Sequence, residues 1–183
     1  MKFQFDEEKA IATILHIIKE VRSRGEDKIG LHKIFKILYF ADKEHLATWG
    51  RPITGDYFVA MNYGPVPSHI YDILKSVKGD SQFISKEKYA SFFEVHGGKW
   101  VVANQDPDLE VLPESGLEAL NNAINDNAHL DFNQLVDKSH DQAWEKAVKD
   151  GKMSYKRMAQ EAGANTEMIG YIRHNASNSF VFA

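Results

Sequence analysis

Apolar residues recur at intervals of three and four along the first fifty positions of the chain, the spacing of helices with one buried face. The first such stretch follows Asp6, a residue type that caps helix N-termini, and it stops at Gly25. Its apolar positions are Ile11, Ile14, Leu15, Ile18 and Val21. A second helix is predicted from about Leu31 to Trp49.

After position 55 the pattern changes to that of a strand. The segment DYFVAMNY, residues 56–63, is rich in aromatic and β-branched residues. Gly64, Pro65 and Pro67 end this predicted strand, and we expect Ser68 to cap the helix that follows. The bend is either a simple turn or a surface that the protein uses, and the two interpretations are compatible.

The strongest hairpin signal is the segment FFEVHGGKWVVA, residues 92–103. Its two central glycines suit a two-residue turn with positive φ. Such a turn pairs Val95 with Trp100 and Phe93 with Val102, and both pairs are apolar.

The rest of the chain is predicted to be mainly helical. Two possible capping boxes, Ser115–Glu118 and Ser139–Gln142, begin later helices, and two short helices lie around Gly163. Together the patterns predict an α+β fold: a mainly helical single domain over residues 1–183, packed on a small antiparallel β-sheet that contains a hairpin near residues 89–103.

Composition narrows the class of protein. The 183 residues include no cysteine, which excludes disulfides and thiolate metal sites and fits a reducing compartment. No apolar run approaches the roughly 20 residues that a membrane span needs. The net charge of −4, with both signs interspersed, argues against a large phosphate-binding surface. We therefore expect a cytoplasmic protein and expect neither a membrane nor nucleic acid as a partner.

Motifs typical of catalysis do not occur in the sequence. It has no His-Glu-x-x-His, no P-loop or dinucleotide-binding glycine pattern, and no Gly-x-Ser-x-Gly. We therefore predict no catalytic residue, no metal and no cofactor.

The second helix carries two polar residues, Asp42 and His45, among its apolar positions at about 100° per residue. Its opposite, polar side holds Lys33, Lys36, Lys43 and Glu44. A carboxylate that faces a core needs a partner, and His45, Arg51 and backbone N–H groups of the next loop are candidates. The pair is either a structural network or a catalytic or binding dyad.

His140 presents a similar choice. We expect it in the first turn of a helix, where the positive end of the dipole favours the neutral imidazole, and Trp144 can lie against its ring. We predict a structural polar network of Asp42, His45, Arg51 and His140 that sets the conformation of the loop at residues 60–67.

The segment SYKRMAQEAGANTEMIGYIRHN, residues 154–175, has the outline of a helix-turn-helix. A recognition helix presents basic and amide side chains to DNA, whereas this one offers Arg173 and His174 with Glu167 opposing them. An ordinary helical hairpin is the preferred interpretation, and DNA binding is an alternative.

Residues 32–74 resemble the SocA-like antitoxin family, also called the Panacea domain. The matching helix residues are Lys36, Leu38, Tyr39, Ala41, Asp42, His45 and Leu46, followed by Gly50, Arg51 and Pro52. The matching bend residues are Ala60, Tyr63, Gly64, Pro65 and Val66, and the downstream match is Ser139, His140 and Trp144. The resemblance covers about residues 31–148, and Ile37 stands where the family commonly has leucine.

The resemblance implies an antitoxin that neutralises a cognate protein toxin by direct binding, in systems of the kind connected with phage defence. Its alternatives are a transcriptional autoregulator that binds DNA through the C-terminal helical pair, and an adaptor that delivers a partner to a cellular protease. We predict a toxin-binding surface at the bend, comprising Tyr63, Gly64, Pro65, Val66, Pro67, Tyr71 and Trp144. The apolar tail at Phe180, Val181 and Phe182 is a second candidate surface.

Overall fold

Helices predominate in the computed structural model, which describes residues 1–82 and 84–178. The helices are α1 (Glu7–Ser23), α2 (Leu31–Trp49), α3 (Ser68–Lys78), α4 (Glu114–Asn127), α5 (Phe132–Ser139), α6 (Gln142–Glu145), α7 (Tyr155–Glu161) and α8 (Thr166–Asn178). The strands are β1 (Ile29–Gly30), β2 (Phe58–Met61), β3 (Gly64–Pro67), β4 (Phe93–His96) and β5 (Trp100–Ala103). Two small antiparallel sheets, β1-β5-β4 and β2-β3, accompany the helices, so the predicted α+β class is confirmed.

The first two helices form as the apolar pattern predicts. The Asp6 side chain caps α1 by accepting a hydrogen bond from the Lys9 N–H at 3.1 Å. Helix α2 has the predicted bounds and ends at Gly50, whose φ of 70° is the left-handed conformation common after helices. Helix α2 is central to the core, because it contacts α1, α4, α5, α7, α8 and β3.

The bend after residue 61 is a β-hairpin, which the sequence pattern does not predict. Strand β3 runs back along β2, pairing Met61 with Gly64 and Phe58 with Pro67. Gly64 has a φ of 91°, a conformation that glycine adopts without strain. The other edge of β2 is also bonded, since the Ala60 N–H donates to the Gly151 carbonyl at 2.9 Å. The two strands therefore form a fixed ribbon.

The expectation that Ser68 caps α3 is wrong. Ser68 is the first helical residue, and the free N–H groups of the first turn are bonded by Asp56 instead. Its carboxylate accepts from the N–H groups of His69 at 3.0 Å and Ile70 at 2.9 Å. A carboxylate is favoured here by the positive end of the helix dipole.

The predicted hairpin at β4–β5 is confirmed, but its register is wrong by one residue. His96 pairs with Trp100, and Val95 pairs with Val101. Both central glycines have positive φ as predicted. Lys99 is therefore a third loop residue, and its carbonyl accepts a hydrogen bond from the Leu31 N–H at 2.9 Å.

The two predicted capping boxes are also wrong. Helix α4 begins one residue before Ser115, and α6 is capped by Asp141, whose side chain accepts from the N–H groups of Ala143 and Trp144. His140 is consequently the C-cap of α5 rather than a first-turn residue. Within the described ranges, no helix combines the length and apolar character required to cross a bilayer. The tail at residues 180–182 lies outside the described residues.

Candidate functional site

Asp42 and His45 are both buried, as the helix projection predicts. Asp42 Oδ1 accepts a hydrogen bond from the Ile53 N–H at 2.7 Å, so its partner is one of the predicted loop N–H groups. The pKa of Asp42 is raised to about 8. Burial is the main cause, the negative charge of Asp56 adds to it, and the bond from Ile53 opposes it. The carboxyl group is therefore mainly protonated at neutral pH.

His45 fastens the same loop at a second point. Its Nδ1 donates to the Arg51 carbonyl at 2.7 Å, which leaves Nε2 to accept from the Ser115 hydroxyl at 3.0 Å. Burial lowers the pKa of His45, so the neutral ring is favoured. Arg51 contributes its backbone carbonyl, while the residue itself is exposed. These contacts fix the loop after α2.

His140 is not brought together with these three residues. It lies after α5, and its ring stacks on Trp144 with centroids 3.6 Å apart and planes 3° from parallel. Burial lowers its pKa, and the positive charge of Lys36 lowers it further. The four predicted network residues thus occupy two separate sites, one at the loop after α2 and one beside the β2–β3 hairpin.

Three side chains donate hydrogen bonds to alternate backbone carbonyl groups of the β2–β3 hairpin. Trp144 Nε1 donates to the Met61 carbonyl at 3.0 Å. His32 Nε2 donates to the Tyr63 carbonyl at 3.1 Å. Lys36 Nζ donates to the carbonyl of Pro65 at 2.8 Å. We call residues 61–65 with these three donors the braced tip.

Lys36 contradicts the sequence prediction most clearly. The helix projection assigns it to the polar side of α2, but β3 covers that side and leaves Lys36 with no exposed surface. Burial lowers the pKa of its ammonium group to about 7. A buried amine with so low a pKa can be neutral and still donate to a carbonyl. Lys36 therefore supports the hairpin from inside the protein.

Gly64 packs directly against the side chains of Lys36 and Ser139. A Cβ built at Gly64 would come within 3.0 Å of Lys36 Nζ and closer still to Ser139 Oγ. The absence of a side chain thus allows the strand to approach α2 and the end of α5. Proline lacks a backbone N–H, but no hydrogen bond is lost for that reason at position 65. The Pro65 carbonyl is the group to which Lys36 donates.

A further polar group orients Trp144. Tyr39 OH donates to the two carboxylate oxygens of Asp141 at 2.9 and 2.8 Å, and Lys43 Nζ pairs with Asp141 at 2.6 Å. Asp141 caps α6, the helix that carries Trp144. Burial raises the pKa of Tyr39, and the negative charge of Asp141 raises it further. The helix projection assigns Lys43 to the polar side of α2, and the sequence pattern gives no signal for this network.

The tip presents aromatic and apolar side chains to solvent. Tyr63 is 63% exposed, and Met61 and Phe132 are also exposed. The Phe132 ring contacts the rings of Tyr63 at 5.6 Å and His32 at 4.3 Å. The sequence pattern gives no indication that Phe132 or His32 belongs to this surface.

The predicted toxin-binding residues divide into exposed and supporting positions. Gly64, Pro65 and Pro67 are buried, Val66 and Trp144 are half-buried, and only Tyr63 among the predicted set is widely exposed. Tyr71 lies apart on α3, half-buried, with its ring edge-on to Phe35 at 5.9 Å. The described residues include no cluster of three potential metal ligands.

The fold and this geometry define a helical α+β protein that presents a rigid, aromatic β-hairpin on its surface. The model of the family described as antitoxin SocA-like, Panacea domain, matches residues 34–145, about three fifths of the chain. The chain belongs to this antitoxin family, and the resemblance drawn from the motifs is confirmed. No curated protein and no solved structure matches the chain.

Proposed function

We propose that this protein neutralises a cognate protein toxin by direct, stoichiometric binding, and that the braced tip is the centre of the surface that binds it. Membership of an antitoxin family supports the general role. The single observation that carries the proposed surface is the set of three donors bonded to the carbonyl groups of Met61, Tyr63 and Pro65 beneath an exposed tyrosine.

Rigidity and composition both favour binding at this position. A tip whose backbone is already fixed loses little conformational entropy when a partner binds. Protein interfaces bury about 800 Å² per partner, and a few aromatic residues at their centre contribute most of the binding free energy. Tyr63, Met61 and Phe132 supply such a centre.

The first experiment tests neutralisation. The reading frame next to this gene is expressed alone and together with the chain, and growth is measured. We expect the neighbouring product to arrest growth alone and to be harmless in the presence of the chain. Purified proteins without protease or DNA should form a one-to-one complex in isothermal titration calorimetry. Growth arrest that persists despite co-expression would refute the proposed function.

The second experiment tests the surface. Tyr63→Ala should weaken binding at least tenfold, as expected for an aromatic residue at the centre of an interface. Tyr171→Ala is the matched control, because Tyr171 is 53% exposed but lies on α8, beside Gly50 at the other end of α2. Equal affinities for the two variants would refute the assignment of the surface to the tip.

A further inference from the structure

An apolar trough of about 520 Å³ lies next to the braced tip. It is bounded by the start of α2, the β4–β5 loop and the turn between α4 and α5. Its main apolar and aromatic lining residues are Gly30, Leu31, Trp100, Leu130, Phe132 and Leu135. This volume lies within the range of roughly 300–1,000 Å³ that is typical of ligand-binding clefts in proteins.

The trough is continuous with the tip. His32 lines the trough and also donates to the Tyr63 carbonyl. Phe132 lines the trough and contacts the Tyr63 ring. A partner centred on Tyr63 would therefore meet the trough as the next part of the same surface.

The charged residues at the rim of the trough differ in whether a polar partner within the protein occupies them. Lys33 pairs with Glu26 at 2.6 Å, and Asp131 caps α5. Lys99 has no acidic partner among the described residues; its ammonium group lies 4.8 Å from the centroid of the Trp100 ring. A carboxylate on the partner would complement this cation directly above the apolar floor.

The trough offers side chains rather than a free strand edge. Strand β5 is bonded on one side to β1 and on the other to β4, and β1 is only two residues long. Addition of a partner strand is therefore disfavoured here, whereas an amphipathic helix binds such a groove by its apolar face.

We infer that the trough binds an amphipathic helix of the toxin, with an Asp or Glu of that helix paired to Lys99. This inference rests on the proposed function, because it extends the same binding surface. The start of α2 and the β4–β5 loop then take part in partner recognition, and neither belongs to the toxin-binding surface predicted from sequence.

Two pairs of variants of the full chain test the inference in isothermal titration calorimetry and stopped-flow binding, with the product of the neighbouring reading frame as the probe. Lys99→Glu should weaken binding about tenfold or more, mainly by slowing association, since rim charges act chiefly on the association rate. Lys156→Glu is its control, because Lys156 is exposed on α7 and away from the trough. It should change the affinity less than twofold.

The second pair fills the trough. Gly30 has an ordinary φ of −78°, which any residue adopts, and a Cβ there would meet nothing nearer than 3.8 Å. A methyl group therefore fits, and a longer side chain would extend from it into the trough. Gly30→Leu should weaken binding at least tenfold, while Gly30→Ala, which makes the same change at the start of α2 with one methyl group, should have less than a threefold effect. Thermal unfolding by circular dichroism checks that each variant is folded.

The outcomes separate the two proposals. If the wild-type chain does not bind the probe, the proposed function fails and this inference fails with it. If the wild type binds and both Lys99→Glu and Gly30→Leu bind equally well, the trough inference alone is overturned. A concentration-dependent dimer of the free chain that Gly30→Leu abolishes would assign the trough to a second copy and would also overturn it.

Discussion

The most informative perturbation is the addition of one methyl group at Gly64. Alanine at a left-handed φ costs about 1–2 kcal/mol, which is offset by about 0.4–1 kcal/mol because alanine restricts the unfolded chain. Crowding against Lys36 Nζ and Ser139 Oγ adds about 1–3 kcal/mol, the usual cost of overpacking. Gly64→Ala should therefore lower the free energy of unfolding by about 1–5 kcal/mol in total, with a central value of about 3 kcal/mol.

Gly163→Ala supplies the matched control. Gly163 has the same φ of 91°, but a Cβ there would meet no atom within 4 Å. Only the backbone terms remain, so we expect a loss of about 1 kcal/mol. Urea unfolding followed by circular dichroism, with linear extrapolation, measures both variants. Losses that agree within about 0.5 kcal/mol would refute the claim that the hairpin rests on the groups beneath it.

A double-mutant cycle then identifies the contact. Ser139→Ala removes the atom nearest to the added methyl group. Residues in direct contact show coupling energies of about 0.5–3 kcal/mol. The double variant Gly64→Ala with Ser139→Ala should therefore be more stable than the sum of the two single losses implies.

Three further predictions concern the polar groups around α2. Because the pKa of Asp42 is raised, the folded state binds one more proton than the unfolded state between pH 3.8 and about 8. The free energy of unfolding of the wild type should therefore fall by up to about 1.4 kcal/mol per pH unit as pH rises through this window. Asp42→Asn should lack this fall, and identical pH profiles for the two proteins would contradict the assignment. Lys36 gives a pH dependence of the opposite sign, because its lowered pKa makes the free energy of unfolding rise between pH 7 and 10.5. Lys36→Met should lack this rise. It should also leave the Pro65 carbonyl unpaired, at a cost of about 1–3 kcal/mol near pH 7. Trp144→Phe replaces the indole by a smaller aromatic ring without a donor, and so removes the bond to the Met61 carbonyl. Loss of this bond should cost about 0.5–1.5 kcal/mol and speed hydrogen exchange at residues 61–64, whereas unchanged exchange would exclude a role for that bond.

The parts predicted best from sequence are those determined by local periodicity. The bounds of α2 follow from its apolar spacing, and the position of Asp42 among those residues is enough to predict its burial. The two glycines of the β4–β5 loop likewise predict the positive φ values found there, because glycine adopts them without strain. These features depend on residues close in the chain, so a single sequence reveals them.

The candidate site depends on contacts between distant residues, and most of it is not predictable from sequence. Lys36 appears solvent-facing on a helix projection, because the projection cannot include β3, which lies 28 or more residues further along the chain. Pro65 and Pro67 indicate the end of a strand because they lack an N–H, yet β3 needs few donors at that position. The register of β4–β5 is shifted because the loop has three residues, and the third, Lys99, bonds Leu31 from a distant part of the chain. Phe132 is a surface aromatic whose importance appears only when its ring is found beside Tyr63.

Amide hydrogen exchange shows whether the braced tip is the binding surface. It is measured by mass spectrometry on the chain alone and in complex with the product of the neighbouring reading frame. We expect complex formation to slow exchange in peptides that contain residues 61–64 and 130–132, with little change in peptides from α8. Protection confined to α8, or unchanged exchange at the tip in a complex that has formed, would contradict this expectation.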